Sequence, residues 1–327
     1  MAKQKQTGIS WADETWSPIR GCTGCGSAGP HGERCWAARF AHRQDHLLPG
    51  YATRGGWTGR VELIESQVEK PLDWRRPRRI AVGLMGDWMH EALPDDARDR
   101  ILAVEAVCPQ HTFIHLTKRW QRQAEYFRTE LRAGPLSGAI TDLRSRRGDH
   151  GVLQPLPHLE EGDFWYPLPN VILGVSAWDQ ASADEACGWL LKTPAACQLL
   201  CLEPMIEPVD LEHIQVLRDS VPDGFRNRLG QDANFWVVVG GESGPGARPC
   251  NVEWIRSVVR QCKQAGVPCY VKQLGARVID EHTSYGVGAW VNDESDIMGP
   301  ILRSRNGSDP AEWPEDLRVR EFANEAY

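Results

Sequence analysis

The chain has 327 residues, 41% of them hydrophobic and 25% charged, with a formal net charge of -7. This balance fits a globular fold with a substantial core and excludes a disordered or low-complexity chain. The acidic excess argues against non-specific coating of nucleic acid, no apolar run reaches the length of a membrane span, and MAKQKQTG lacks the apolar core of a secretion signal.

A cytoplasmic protein without membrane contact is therefore expected. There the 10 cysteines stay reduced and serve packing or metal binding. ISWADETWSPIRGC predicts a short first strand near Thr15 to Ile19, feeding the loop GCTGCGSAGPHGERCWA over residues 21 to 37. The loop carries Cys22, Cys25 and Cys35 in the spacing Cys-x2-Cys-x9-Cys, among glycines that can take the positive φ needed to wrap a metal. Three thiolates can hold three corners of an iron–sulfur cube and leave one iron open to a small chelating cofactor. With His31 as a fourth ligand the same loop reads as a closed zinc knuckle, and without metal as three free thiols in a turn.

WAARFAHRQDHLL follows with helical spacing, residues 49 to 60 form a turn-rich crossing, and VELIESQVEKPLDWRRP predicts a short strand and then a helix. RRIAVGLMGDWMH is a buried strand, PDDARDRILAVEAVCPQ an amphipathic helix opened by Pro94 and Asp95, HTFIHLTKR the next strand and WQRQAEYFRTELR its helix. Residues 133 to 169, rich in Gly, Pro and charge, are expected to be an inserted loop or lid. The alternation resumes with NVILGVSA, QASADEACGWLLKTP, CQLLCLEP, the helical piece LEHIQVLRDSV, FWVVVGGES, NVEWIRSVVRQCKQAG ending on Gly266, and VPCYVKQLG. From about Ala276 the periodicity fades into an irregular C-terminal extension.

Short apolar strands alternating with amphipathic helices mean a parallel sheet with helices outside. About seven such units without a GxGxxG after the first strand favour a complete or partial (β/α) TIM-type barrel over a dinucleotide-binding sheet. One barrel over residues 1 to 275 with residues 276 to 327 packed on it is the expected organisation. In such a fold reactive groups collect at the carboxyl ends of strands. Those ends carry Asp87 and His90, then His115, Thr117 and Lys118, Ser176, Glu203, the run Gly240, Gly241, Glu242, Ser243, and finally Lys272 and Gln273. Each has a plainer reading: Asp87 as a loop acceptor, His90 as a packed histidine, Gly240 and Gly241 as a rigid turn. A carboxylate at Glu203 and an ammonium at Lys272 are harder to bury without a partner, and Lys272 calls for an anion or a carboxylate such as Glu203 or Glu242. Three arginine-rich clusters, Arg75 to Arg79, Lys118 to Arg122 and Arg144 to Arg147, could meet phosphate or be solvated faces. Some of the 14 Trp could stack on bases.

The blocks SWADETWSPIRGC, PLDWRRPRRIAVGLMGDWMHEALPDD, PQHTFIHLTKR, PLPNVILGVSA, TPAACQLLCLEPMIEPVDL, VVVGGESGPGARP and AGVPCYVKQLG resemble the phage-encoded three-cysteine proteins of the Gp37/Gp68 type. That family is similar at a distance to radical S-adenosylmethionine enzymes, including spore photoproduct lyase. The resemblance implies a β/α barrel of the radical-enzyme kind with a [4Fe-4S] cluster on Cys22, Cys25 and Cys35, and S-adenosylmethionine as cofactor. It also implies a reductant such as a flavodoxin or ferredoxin, and a nucleobase in DNA, such as a thymine derivative, altered by rearrangement or lyase chemistry in a host cytoplasm. Asp87, His90, Thr117, Ser176, Glu203, Gly240, Gly241 and Glu242 are then candidates to hold the cofactor, with Lys272 and Glu203 nearest the chemistry. The family places its Cys-x2-Cys pair at the last two cysteines, whereas here the pair is Cys22 and Cys25 and position 32 is Gly. The alternative is a zinc-stabilised nucleic-acid-associated module without radical chemistry.

Overall fold

The computed structural model describes residues 9–29, 32–128, 133–147, 167–211, 234–280 and 302–323. The chain opens with β1 (Glu14–Trp16) and β2 (Ile19–Arg20), then the cysteine loop and α1 (Trp36–Arg43). A small hairpin joins β3 (Ala52–Thr53) to β4 (Gly56–Trp57), and β5 (Glu62–Leu63) pairs back antiparallel with β2. After α2 (Glu65–Val68) come β6 (Arg79–Val82), α3 (Asp95–Ala106), β7 (Thr112–Thr117), α4 (Trp120–Tyr126) and α5 (Ala133–Arg147). Next are β8 (Val171–Ala177), α6 (Gln180–Leu190), β9 (Cys197–Leu202), β10 (Asn234–Gly240) and β11 (Cys250–Asn251). The last elements used here are α7 (Val252–Ala265), β12 (Cys269–Gln273) and β13 (Val278–Ile279). The predicted helix LEHIQVLRDSV and the WVNDES island lie outside the described residues.

Local signals account for the boundaries. Asp179 caps α6 by accepting from Ser182 N, while the Ser182 hydroxyl answers with the Asp179 backbone, a reciprocal capping box. Asn251 caps α7, which ends on the left-handed Gly266. The strand β8 is buried at every position, as a central parallel strand must be.

Seven strands form one all-parallel sheet in the order β1-β6-β7-β8-β9-β10-β12. Because each strand is laid beside its predecessor and crossovers turn right-handed, the helices fall on one face only. Ile80, Val82, Phe113 and Leu173 pack under α3 and α5, and Val175, Leu200, Val237 and Val271 pack under α6 and α7. The opposite, concave face carries Ala81, Ile114, Leu199, Cys201, Val238 and Tyr270, plugged at the amino ends of the strands by Trp11, Trp236 and Phe322. Trp236 stands edge-on to Trp11 at 6.3 Å, and Phe322 lies against Trp236 at 5.8 Å and under the Arg79 guanidinium at 3.8 Å.

The expected TIM-type barrel does not form. Among the described residues β1 and β12 are the outer strands of the parallel sheet and do not pair with each other, so the sheet is an open, curled half-barrel. The alternation was read correctly, but closure needs a strand count, tilt and stagger that together bring first and last strands into register. Here the C-terminal segment takes the free edge instead. Val271 N donates to Val319 O at 2.8 Å, Glu321 N donates to Cys269 O at 2.9 Å, and Arg320 bridges Tyr270 antiparallel. An antiparallel edge segment stops a parallel sheet from continuing round to β1.

The expected loop over residues 133 to 169 also needs correction in its first part, since Ala133–Arg147 is the helix α5. Pro135 sits in the first turn, where no backbone N–H is required, and Leu136, Ile140 and Leu143 are buried in the outer layer with α3. Residues 148–166 lie outside the described residues. In two of the arginine clusters some members are paired within the fold: Arg78 with Glu14 at 2.7 Å, and Arg146 and Arg147 with Glu69.

One buried pair in the outer layer is open to test. His115 Nε2 lies 2.7 Å from Glu105 Oε1 with both side chains fully buried and Trp88 stacked over the imidazole at 3.9 Å. Burial pushes the Glu105 carboxyl above its ordinary value of 4.5, with His115 partly offsetting it. A carboxyl raised on folding binds more protons in the native than in the unfolded state. Its stabilising contribution is therefore full below about pH 4.5 and lost as pH rises through the folded value. Glu105→Gln is expected to flatten the fall in stability as pH rises above about 4.5, read by urea denaturation at a series of pH values. An unchanged slope would show that the carboxyl does not titrate in that window.

Candidate functional site at the three-cysteine loop

The cysteine loop leaves β2 across the carboxyl ends of the sheet. Gly21 bridges to Gly86 beyond β6 and donates its N–H to Met85 O at 2.9 Å, with φ near 90°. A Cβ there would fall 1.8 Å from Arg60 O, so only glycine lets the chain turn into the loop at this point. Cys25 then precedes a short 3-10 turn, Gly26–Ala28, and Cys35 stands at the N-cap of α1.

Cys22, Cys25 and Cys35 all line a single cavity at the carboxyl ends of the strands. Asp87, Thr117, Ser176, Glu203, Glu242 and Lys272 line it too, so the structure brings together most of the residues singled out from the sequence. The cavity holds about 210 Å³ and opens to solvent. The three thiols share this wall without converging: among the described residues no three His, Cys, Asp or Glu side chains stand close enough to hold one metal ion. Burial raises the Cys22 thiol, opposed by the nearby Arg119 guanidinium. His31 lies outside the described residues.

Three predicted residues are placed elsewhere. His90 is buried beside the cavity, its Nδ1 accepting from Ala92 N at 3.1 Å and its Nε2 3.1 Å from Thr23 Oγ1. Those bonds assign the proton to Nε2, and burial, with Arg119 adding to it, holds the imidazole below its usual value, so His90 supports the loop as a neutral ring. Gly240 and Gly241 mark where β10 crowds β12. A Cβ on Gly241 would lie 2.2 Å from Leu274 O and 2.9 Å from Cys250 Cβ, so these glycines serve backbone packing.

Asp87 is engaged by four donors. Its Oδ1 accepts from Met89 N at 3.0 Å and Thr117 Oγ1 at 2.7 Å, and its Oδ2 from Lys118 N at 3.2 Å and Arg119 Nη1 at 3.0 Å. It fixes the β6 and β7 loops rather than offering a free carboxylate. Arg119 carries the constraint onward, with Nη1 3.7 Å from Cys22 Sγ, Nη2 donating to Thr23 Oγ1 at 3.1 Å and Nε to Glu91. From behind, the fully buried Arg98 of α3 donates to the carbonyls of Trp88, His90 and Leu93 and holds the same turn.

The far wall is built on β9, β10 and β12. Glu203 Oε1 accepts from Lys272 Nζ at 2.5 Å and Gln273 Nε2 at 2.9 Å, so of the two carboxylates expected for Lys272 it is Glu203 that pairs with it. The Glu203–Pro204 peptide is cis. Cys201 lies 3.9 Å from Glu203 Oε2, and burial first, then Glu203, pushes its thiol up to about 12. Glu242 Oε2 accepts from Arg248 N at 2.9 Å and Arg248 Nε at 2.7 Å. Arg248 Nη2 continues to Ser27 O at 3.0 Å.

Residues 6–307 match the family described as protein of unknown function (DUF5131). The chain belongs to this family. No curated protein and no solved structure is significantly similar to it. In this family member, therefore, the site must be read from its own residues. Sequence reasoning missed the two arginine clamps: Arg119 holds the Cys22 end of the loop and Arg248 the Ser27 segment. Arg119 stood within a cluster weighed for phosphate, and its position two residues after strand-end Thr117 was the available signal. Arg248 had none, because its partner lies 221 positions away.

Among the described residues no helix is long and apolar enough to cross a membrane.

Proposed function

We propose that the chain is a radical S-adenosylmethionine enzyme whose Cys22, Cys25 and Cys35 hold a [4Fe-4S] cluster at the mouth of the curled sheet. The observation that carries the reading is that three thiols of one Gly-rich loop line the same cavity as Ser176, Glu203, Glu242 and Lys272. A three-thiolate donor set suits an iron–sulfur centre with one open iron. The fourth thiol on the wall, Cys201, is a poor thiolate with its value near 12. The loop's sulfurs share one wall, and Arg119 and Arg248 hold the loop at its Cys22 end and its Ser27 segment. When bound and reduced by a flavodoxin- or ferredoxin-type carrier, the cluster would supply the electron that cleaves S-adenosylmethionine to methionine and a 5′-deoxyadenosyl radical.

The protein's own groups position and shield. Glu203, buttressed by Lys272 and Gln273, presents its Oε2 to the cavity, and Ser176 on the concave face adds a hydroxyl. Glu242, held on one oxygen by Arg248, keeps the other for an amino or ribose hydroxyl group. Asp87, Thr117 and His90 act behind them as positioning residues. A cavity of about 210 Å³ is below the ~300–1,000 Å³ that encloses a drug-sized ligand, so a nucleoside-sized cofactor extends into the open mouth. The family resemblance supports a nucleobase of DNA as substrate, and the cationic Arg34 and Lys118 on the cavity wall suit the backbone phosphates beside it.

Anaerobic reconstitution with iron and sulfide tests the reading. A brown protein with visible iron–sulfur absorption that releases 5′-deoxyadenosine from S-adenosylmethionine is expected. A colourless protein, whether it retains stoichiometric zinc or no metal, overturns it in favour of a non-radical module.

A further inference from the structure

The first helix after the cysteines is built inside out. An amphipathic helix normally turns its large apolar residues inward, yet α1 buries Ala37, Ala38 and Ala41 and leaves Trp36 51% and Phe40 39% exposed. With Leu47, at 62%, these are the exposed large hydrophobics among the described residues, and all fall in or just after this one helix. Clustering of this kind marks a contact surface rather than scattered surface apolarity. Trp36 also lines the cavity, directly beside Cys35, while Phe40 lies one turn along the same face, ~6 Å further along the axis. The two rings lead outward from the cavity mouth.

The charge beside them is positive. Arg34, Arg39 and Arg43 flank the rings, and among the described residues none forms an ion pair with a carboxylate. Arg39 donates only to carbonyl oxygens, of Glu33 at 3.2 Å and Pro245 at 2.8 Å, which leaves its charge uncompensated. Lys118 faces the cavity from the other side. Glu33 and Asp45 lie in the same stretch, so residues 33–47 carry a formal charge of +1, three Arg against one Glu and one Asp, in a chain of net charge -7.

We propose that the α1 face is a track for a single nucleic-acid strand, with Trp36 and Phe40 stacking on bases next to the one that enters the cavity. Exposed rings interleaved with unpaired arginines are the elements such tracks combine, stacking for each base and cations for the backbone. A base inside a duplex cannot reach a recessed cavity without extrusion, so stacking its neighbours at the threshold holds the strand open. The inference rests on the reading that the substrate is a nucleobase, and names its form as single-stranded.

Fluorescence anisotropy of the full chain without added iron, using a labelled oligodeoxynucleotide of about 12 nucleotides, tests it. The single strand is expected to bind about tenfold more tightly than the same sequence as a duplex. Trp36→Ala and Phe40→Ala should each weaken strand binding about tenfold, with Trp36→Phe restoring most of it. Arg43→Gln should flatten the dependence of log K on log salt by about 0.7. Both rings are exposed, so unchanged circular dichroism and melting should accompany these losses. No binding, equal binding of duplex, alanine variants that bind as wild type, or a loss seen only towards an acidic electron-carrier protein overturns the proposal. Because no cluster is needed for the measurement, the two readings fail separately. A chain that cleaves S-adenosylmethionine but ignores the strand loses only the track, and a colourless chain that binds the strand loses only the cluster.

Discussion

Cys35→Ala is expected to bring the iron content of the anaerobically reconstituted protein to background and to abolish release of 5′-deoxyadenosine from S-adenosylmethionine. Cys35 is the cleanest of the three positions for this test. It is the N-cap residue of α1 but makes no side-chain capping bond, and its extended backbone (φ -62°, ψ 121°) suits alanine. The fold therefore keeps what it had, and any loss is a loss of ligation. Cys22 is less discriminating because its sulfur touches the Arg119 clamp, and Cys25 because its sulfur lies 3.3 Å from Ser27 Oγ. Two thiolates leave a cubane with two open corners, so a sharp fall and not a partial one is expected. Iron analysis, visible absorption and chromatography of the nucleoside product check it, and unaltered iron with unaltered cleavage would remove the cluster from the molecule.

Asp87→Ala is expected to be the most damaging single change to the scaffold of the site, lowering stability by about 3–5 kcal/mol. The Asp87 and Arg119 side chains are only 10% and 11% exposed and meet at 3.0 Å, so deleting the carboxylate leaves a largely buried guanidinium without its main counter-charge. Burial alone would lower the Arg119 value, yet Asp87 and then Cys22 and Glu91 raise it, which shows how far the cation depends on these neighbours. The same change orphans the N–H groups of Met89 and Lys118 and the hydroxyl of Thr117. Thr117→Val removes both the bond the hydroxyl donates to Asp87 and the one it accepts from Arg119 N at 2.9 Å, and should cost about 2 kcal/mol. Urea denaturation of the two single variants and the double variant measures the coupling. An Asp87→Ala loss no larger than that of Thr117→Val would mean that the four-donor arrangement does not hold the loops.

The main-sheet strands and the longer helices were legible where they are written locally, by apolar runs for β6 to β10 and β12, Pro94 before α3, and Asn251 and Gly266 around α7, whereas the two-residue strands β3, β4 and β11 carry no such run and the expected single strand over Thr15 to Ile19 is split into β1 and β2. Strand-end chemistry was legible for the same reason, since Glu203 and Lys272 terminate otherwise apolar segments; the cost of burying Lys272 alone called for a carboxylate, Glu203 or Glu242, and the structure pairs it with Glu203. Helix α5 was misread because Gly134, Pro135 and Gly138 resemble a loop when the buried stripe of Leu136, Ile140 and Leu143 has no visible partner.

By itself the sequence determined a parallel sheet flanked by helices, with three thiols delivered by a Gly-rich loop to the carboxyl ends of its strands. The tertiary structure alone decided that the sheet stays open with the C-terminal segment along β12. It also decided that Asp87 and His90 support the loop while Glu203 and Glu242 face the cavity, and that Arg119 and Arg248 hold the cysteines' loop from either side. The division follows range: capping and periodicity act within a few residues. Sheet closure, by contrast, sums tilt and stagger over every strand, and the partner of a charged group can lie hundreds of positions away.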